Sequence, residues 1–188
     1  MFAGKNIYNG EELNDCMVLE LDGMEWVNPF AVVHGVSLPD ECPPRRKRHS
    51  AVLRGRQLLV FAGWQGQSNL SGDYWSDFYT LDLDSWEWRH VQTRGTAPAA
   101  RGGHVAGLND DKMFIWGGWG SAREMYNELH YIELDDNTWC SFRRGKVPDE
   151  RFDCSAVVAG GRMYVFGGRN NKNDFFDELL CCNISSVY

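Results

Sequence analysis

Arginines at one repeated position are the residues of this chain best suited to bind an anion. Arg46, Arg101 and Arg151 each lie three residues after a proline and three residues before a histidine or cysteine. A guanidinium group binds carboxylates and phosphates through forked pairs of hydrogen bonds. Acids recur at a second repeated position, namely Asp15, Asp77, Glu128 and Glu178. Two interpretations remain open: the arginines pair with these acids inside the fold, or they face a ligand.

His49, His104 and Cys154 follow these arginines at equivalent positions. Residues that repeat lie in different units of the fold, which is not the geometry of one metal site, so we interpret them as hydrogen-bonded residues at the starts of strands. The six cysteines include no CxxC pair and no zinc-type spacing. We interpret them as free thiols of a reducing compartment, and we predict no metal site and no cofactor.

Glycine pairs and tryptophans also recur at fixed places. A glycine pair could cradle phosphate, but neither GxxxxGK[ST] nor GxGxxG with a following helix is present. We therefore predict a structural role for the pair after each apolar run, that is for Gly63, Gly117, Gly118, Gly167 and Gly168. Large apolar side chains can fill the wedge between neighbouring units, and this role is predicted for Trp26, Trp88 and Trp139.

The spacing of these residues reveals a repeated unit that must position them. Fourteen residues separate His49 from Gly63, and the same interval separates His104 from Gly118. Each unit holds four short runs, which in the second unit read "HSAVL", "QLLVFAG", "DFYTLDL" and "EWRHV". Such runs between turn signals are typical of strands, and no segment shows capped helical periodicity. Four antiparallel strands in about 50 residues indicate a β-propeller blade.

These motifs resemble kelch repeats over essentially the whole chain, although Ala3 and Ala62 replace the first glycine of their pairs. The resemblance implies an all-β fold: a partial kelch-type β-propeller with about 3.5 four-stranded antiparallel blades. We predict one domain over residues 1–188, with blades at 1–30 (partial), 44–93, 98–144 and 148–188 (incomplete). Since closed propellers use about four to eight blades, a second chain or further blades of a longer polypeptide must close the ring.

One end of the blades is predicted to bind a partner, because the long second-to-third loops and the connections between blades meet there. The connections are partly basic and include the run "RRKR", whereas the third-to-fourth turns at the other end are acidic. A solvated surface without function would show the same charges. The candidate contacts, for an acidic or phosphorylated segment, are Arg46, Trp64, Arg101, Trp119, Arg151 and Arg169.

The resemblance implies a non-enzymatic protein–protein interaction module, with no catalytic residues. Two alternatives stay open: a substrate receptor of a ubiquitin ligase, and an enzyme whose site lies in other blades. The net charge of −7 argues against a nucleic-acid partner. No apolar run is long enough to predict a membrane span. We expect a cytoplasmic protein, with the nucleus as the alternative that "RRKR" would favour.

Overall fold

Short alternating and apolar runs form β-strands along the whole chain, as the sequence predicts. A computed structural model describes residues 2–36, 39, 41–68, 71–142 and 147–185. The predicted blades also included residues 1, 69–70, 143–144 and 186–188, which lie outside the described residues. The structure is an all-β partial propeller of the kelch type.

The strands group into blades in chain order. The first blade holds two hairpins, made by β1 (Phe2–Lys5) with β2 (Glu12–Cys16) and by β3 (Val18–Glu20) with β4 (Glu25–Val27). The second holds β5 (Ser50–Arg54), β6 (Gln57–Ser68), β7 (Ser71–Asp82) and β8 (Glu87–His90). The third holds β10 (Val105–Asn109), β11 (Lys112–Trp116), β12 (Leu129–Glu133) and β13 (Thr138–Phe142), with the short β9 (Arg94–Gly95) parallel to β13. The fourth holds β14 (Ser155–Ala159), β15 (Arg162–Phe166) and β16 (Leu179–Asn183).

Two local features differ from the sequence-based prediction. The segment expected to be a long loop after Gly63 is instead a continuation of β6 and β7, with Trp64 opposite Tyr74 in the ladder. A six-residue helix, α1 (Pro29–His34), follows the first blade. It begins at Asn28, whose side chain accepts hydrogen bonds from two backbone N–H groups, and it is too short to show helical periodicity. Within the described residues, no helix has the length and apolar character needed to cross a membrane.

Apolar side chains fill the spaces between successive blades. Between the second and third blades, Phe61 meets Trp139 with a ring separation of 4.9 Å. Between the first and second, Phe2 meets Trp88 at 4.8 Å. Both tryptophans are 3% exposed, and burial of a side chain of this size stabilises by about 2–3 kcal/mol. The first and second blades thus each receive, on one face, the tryptophan of the next blade.

Trp26 does not fill such a wedge, which corrects the prediction made for it. Its side chain is 54% exposed. Trp26 lies on the face that in the second and third blades packs against the preceding blade. Among the described residues no blade precedes the first one, so about half of this side chain stays in solvent.

The second glycine of each pair is required by both conformation and contact. Gly63 and Gly118 have φ values of 106° and 97°, which side chains rarely adopt. A methyl group on Gly118 would lie 2.9 Å from the Cβ of His104, and one on Gly63 would lie 2.8 Å from that of His49. This contact explains why the histidine and the glycine keep a constant spacing. Ala62, with φ 56°, adopts the left-handed conformation without a glycine.

The three repeated arginines are clamps inside their own blades. Arg101 donates from Nη1 to the Gly117 carbonyl (2.9 Å), from Nη2 to Glu128 (3.2 Å) and from Nε to the Ala99 carbonyl (2.9 Å). The same set joins Arg46 to Ala62, Asp77 and Pro44, and joins Arg151 to Gly167, Glu178 and Asp149. This confirms the interpretation in which the arginines pair with the repeated acids.

Their burial contradicts the prediction that the same three arginines contact a partner. Arg46 and Arg101 are 0% exposed and Arg151 is 1% exposed. An aromatic ring covers each guanidinium group, as Tyr126 covers Arg101 at 4.0 Å. Side chains this deeply buried offer no surface to another molecule.

The main chain of each clamp also reaches the neighbouring blade. The carbonyl oxygens of Arg46, Arg101 and Arg151 accept hydrogen bonds from the second glycine of the preceding blade. The donors are Gly4, Gly63 and Gly118, at 3.0, 2.8 and 2.9 Å. One residue therefore fixes a blade internally and joins it to the blade before.

We expect Arg101→Met to lower the free energy of unfolding by about 3 kcal/mol, because it leaves Glu128 and a buried carbonyl without their donor. Arg56→Met is the matched control, since Arg56 and its partner Asp84 are 66% and 68% exposed. That substitution should cost less than about 1 kcal/mol. Urea unfolding measures both, and equal losses would contradict the clamp.

We expect Gly118→Ala to lower the free energy of unfolding by roughly 3 kcal/mol, because strain at positive φ and the clash with His104 add together. Gly55→Ala controls for backbone strain alone. Gly55 has φ 56° and open space where a methyl group would lie, so about 1 kcal/mol is expected. Thermal unfolding of the two variants should rank them in this order; a Gly55 variant as damaged as the Gly118 variant would contradict it.

Candidate functional site

The starts of the blades form a continuous row at one end of the structure. The residue after each clamp arginine pairs with the residue after each glycine pair, giving the bridges Lys47–Trp64, Gly102–Trp119 and Phe152–Arg169. Successive blades are joined in this row, because Gly103 N–H donates to the Arg48 carbonyl (2.9 Å) and Asp153 N–H donates to the Gly103 carbonyl (2.8 Å). The row therefore holds its side chains in fixed relative positions.

Five side chains of this row form a cluster that we call the arginine platform: Arg48, Trp119, Phe152, Asp153 and Arg169. The rings of Trp119 and Phe152 stack with a centroid separation of 4.7 Å and an angle of 12°. The Arg48 guanidinium lies 5.7 Å from the Trp119 ring, and that of Arg169 lies 4.8 Å from the Phe152 ring. Two guanidinium groups thus rest on an aromatic floor.

One carboxylate links the two cations of the platform. Asp153 lies 3.2 Å from an Nη atom of Arg48 and accepts a hydrogen bond from Arg169 at 3.3 Å. All three charged side chains remain about one third exposed, at 31%, 32% and 32%. Two guanidinium groups and one carboxylate leave a single net positive charge at this surface.

The structure places some of the sequence-predicted contact residues at the surface and buries the others. Arg169 lies in the platform with about one third of its side chain exposed, whereas Arg46, Arg101 and Arg151 lie in the clamps below. Trp119 and Trp64 are only 6% and 4% exposed, so they support other side chains rather than project from the surface. Trp64 stacks on Tyr74 and carries the Lys47 ammonium group 4.0 Å from its ring.

Sequence reasoning did not select Arg48, Phe152 or Asp153 as contacts, although Arg48 ends the basic run "RRKR". These residues occupy the two variable places between the clamp arginine and the following histidine or cysteine. The third blade has Gly102 and Gly103 at the same places. The sequence did contain a signal for them, namely that these two positions vary among repeats that share one backbone conformation. Residues at such positions are not needed for the fold and can serve binding instead.

Lys47 is also held beside the platform. Its ammonium group donates to the Gly66 carbonyl at 2.7 Å and to the Glu12 carboxylate of the first blade. Burial acts to raise the pKa of Glu12, but hydrogen bonds from Lys47 and from the Gly66 N–H lower it overall. Lys47 is therefore neutralised, and the exposed positive charge of the row comes from the two platform arginines.

The histidines beneath this row are neutral packing residues. His104 Nε2 and Ser50 Oγ share a hydrogen bond of 2.8 Å between the third and second blades. Burial, with the nearby Arg101 charge, lowers the pKa of His104 to about 3, and burial with the Arg46 charge lowers that of His49 to about 4. Cys154 occupies the equivalent position in the fourth blade. Burial raises the pKa of its thiol to about 11, so the thiol is a poor nucleophile at neutral pH.

The acid of the third-blade clamp, Glu128, stays ionised at neutral pH. Burial favours the neutral form of Glu128, but hydrogen bonds from His130 and from its own backbone N–H, and the Arg101 charge, lower its pKa to about 2. The clamp thus keeps its ion pair across the physiological range. Within the part of the chain that the structure describes, no three histidine, cysteine, aspartate or glutamate side chains are grouped so as to hold a metal ion.

Comparison with known proteins places this architecture in a family. The family model for the KLHDC2/KLHL20/DRC7 Kelch-repeats domain matches residues 1–187. Kelch domain-containing protein 3 of Bos taurus is 32% identical over 144 residues, which are 72% of this chain and 38% of that protein. Host cell factor 2 of Homo sapiens is 27% identical over 200 residues, which are 90% of this chain and 24% of that protein.

A plant relative shows the same partial coverage. Acyl-CoA-binding domain-containing protein 5 of Arabidopsis thaliana is 28% identical over 146 residues, covering 77% of this chain and 22% of that protein. The chain therefore spans well under half the length of these curated relatives. The match of the family model over nearly all residues, together with the bladed fold, shows that the chain belongs to the kelch-repeat family.

Proposed function

We propose that this chain is a non-enzymatic protein–protein interaction module, and that its arginine platform binds an acidic or phosphorylated segment of a partner. Domains of the kelch-repeat family generally mediate protein–protein interaction. The single observation that carries the finer proposal is the pair of partly exposed guanidinium groups, Arg48 and Arg169, that share one carboxylate on an aromatic floor.

The hydrogen-bonding capacity of the platform supports an anionic partner. Each guanidinium group has five N–H donors, and Asp153 accepts only part of this capacity. The remaining donors match the paired oxygens of a carboxylate or phosphate. The rings of Trp119 and Phe152 restrain both arginines before binding, which lowers the entropic cost of ordering them.

The shape of the site supports a protein segment over a small molecule. Two surface depressions, of about 660 and 540 Å³, have none of the platform residues in their walls. The platform is an open surface at the ends of rigid strands, as suits an extended peptide. We also propose a cytoplasmic location, because the spacing of the six cysteines is typical of thiols in a reducing compartment.

We further propose that additional blades complete the ring. The outer face of the fourth blade exposes Phe166 (54%) and Leu179 (63%), whereas the equivalent Phe61 and Phe78 of the second blade are at most 1% exposed against the third. The first blade exposes Leu21 (74%) in the same way. These faces match the covered interfaces between blades, so a further blade or a second chain would bury them.

We expect a short peptide with one phosphoserine between glutamates to bind the chain, and the same peptide with serine and glutamines to bind at least about tenfold more weakly. Arg48→Gln and Arg169→Gln should each weaken phosphopeptide binding about tenfold, which is about 1.4 kcal/mol. Fluorescence anisotropy at low and high salt measures this, and salt should weaken the binding.

Arg89→Gln is the control for that experiment. Arg89 is an exposed arginine of β8, distant in the fold from the platform, with 74% of its side chain accessible. Phosphopeptide binding should be unchanged by this variant. If the platform variants and the Arg89 variant bind the phosphopeptide equally well, or if neither peptide binds the wild-type chain, the platform is not the binding surface.

A further inference from the structure

Asp153 lies between the two arginines of the platform and contacts both of them with one oxygen atom. Its Oδ2 atom is 3.2 Å from an Nη atom of Arg48 and accepts a hydrogen bond of 3.3 Å from Arg169. Among the described residues, no other acid pairs with either of these arginines. A ligand anion that bridges two guanidinium groups would use the same position. Asp153 therefore resembles a ligand that the chain itself supplies.

The backbone at this place has a conformation that favours glycine. The residues that lie two positions after a clamp arginine are Arg48, Gly103 and Asp153, with φ values of 57°, 68° and 55°. Glycine adopts this left-handed conformation readily, whereas a side chain makes it less favourable. The third blade has glycine there and forms the same backbone bridge as the other two blades. The fold itself therefore does not require the two charged side chains.

Gly103 makes room for the Asp153 carboxylate. A methyl group on Gly103 would lie 2.9 Å from the Oδ1 atom of Asp153 and 3.3 Å from the Cβ of Phe152. The Asp153 N–H also donates to the Gly103 carbonyl at 2.8 Å. The carboxylate thus rests against the third blade, and from there it reaches Arg48 of the second. An anion from outside must compete with a carboxylate that is already held in place.

This competition affects carboxylate and phosphate ligands differently. A carboxylate from a partner offers the same two oxygens and the same single charge as Asp153. Because Asp153 is tethered beside the arginines, its effective concentration there is far above that of a dissolved peptide, and equal chemistry favours it. A phosphate monoester carries a charge of about −1.5 to −2 at neutral pH and has three acceptor oxygens. It can therefore bind two guanidinium groups more strongly than one carboxylate does.

We propose that Asp153 is an internal competitor that makes the arginine platform selective for a phosphorylated residue over an aspartate or glutamate. This inference rests on the proposed function, and of the two kinds of segment named there it selects the phosphorylated one. The phosphate displaces the Asp153 carboxylate from Arg48 and Arg169, and the released carboxylate turns to solvent. A segment that carries carboxylates alone does not complete this exchange.

Peptides that differ at one residue test the proposal on the chain of 188 residues. Each peptide has glutamines on both sides of a central phosphoserine, glutamate or serine. By fluorescence anisotropy, the wild-type chain should bind the phosphoserine peptide at least about tenfold more tightly than the glutamate peptide. It should bind the glutamate and serine peptides equally weakly.

Removal of the competing charge should change both results. Asp153→Asn should bind the phosphoserine peptide about tenfold more tightly than the wild-type chain does, because the carboxylate no longer has to be displaced. The same variant should bind the glutamate peptide about tenfold more tightly than the serine peptide, since a single carboxylate then meets two arginines without a competitor.

Two further variants control for folding and for charge. Asp153→Gly introduces the residue that the third blade has at this place, and glycine suits the φ of 55°. It should keep or raise the midpoint of thermal unfolding and should also bind the glutamate peptide. Asp22 lies in an exposed turn of the first blade, and Asp22→Asn makes the same charge change there. This variant should bind all the peptides as the wild-type chain does.

The possible results separate this inference from the proposed function. If the wild-type chain binds the phosphoserine peptide but Asp153→Asn binds it no more tightly, Asp153 is not a competitor, although the platform still binds phosphate. If the wild-type chain binds the glutamate and phosphoserine peptides equally tightly, the selectivity is wrong, although an acidic segment is still a ligand. If neither the wild-type chain nor either Asp153 variant binds any peptide, both proposals are overturned.

Discussion

The buried guanidinium group is the interaction on which the rest of this structure depends. Taking a charge out of water is costly unless its partners are complete, and an arginine has five N–H groups to satisfy. In each clamp these donors meet an acid, the carbonyl of the glycine pair and a carbonyl two residues upstream. The arginine therefore ties together the start of a blade, the end of its second strand and the start of its third.

The same residue explains why blades join in a constant geometry. While the Arg101 side chain is engaged inside the third blade, its carbonyl accepts a hydrogen bond from Gly63 of the second. Gly63 must approach His49 closely, and a methyl group there would lie 2.8 Å from the Cβ of His49. The glycine, the histidine and the arginine thus depend on one another through direct contacts, which explains why their spacing is the same in each repeat.

The fold was predictable from the sequence because the residues that determine it recur in several repeats. The candidate site was not predictable, because its residues do not recur. Strand runs, glycine pairs and the clamp acids appear several times, so each copy supports the interpretation of the others. The position of Trp26 followed the repeat correctly, but its exposure depends on whether a neighbouring blade is present, which no local pattern contains. Arg46, Arg101 and Arg151 attracted attention as recurring cations, although recurrence itself was the sign that they serve the fold.

Arg46 and Arg48 show how two neighbouring arginines come to have opposite roles. Arg46 is buried and donates to the Ala62 carbonyl and the Asp77 carboxylate, so its charge stabilises the register of the blade. Arg48, two residues on, lies at a place where the third blade has glycine, and it rests on rings with a third of its surface in water. Its position is nevertheless precise, because the clamp holds the backbone from which it projects. A buried charge thereby fixes the backbone from which a partly exposed charge projects.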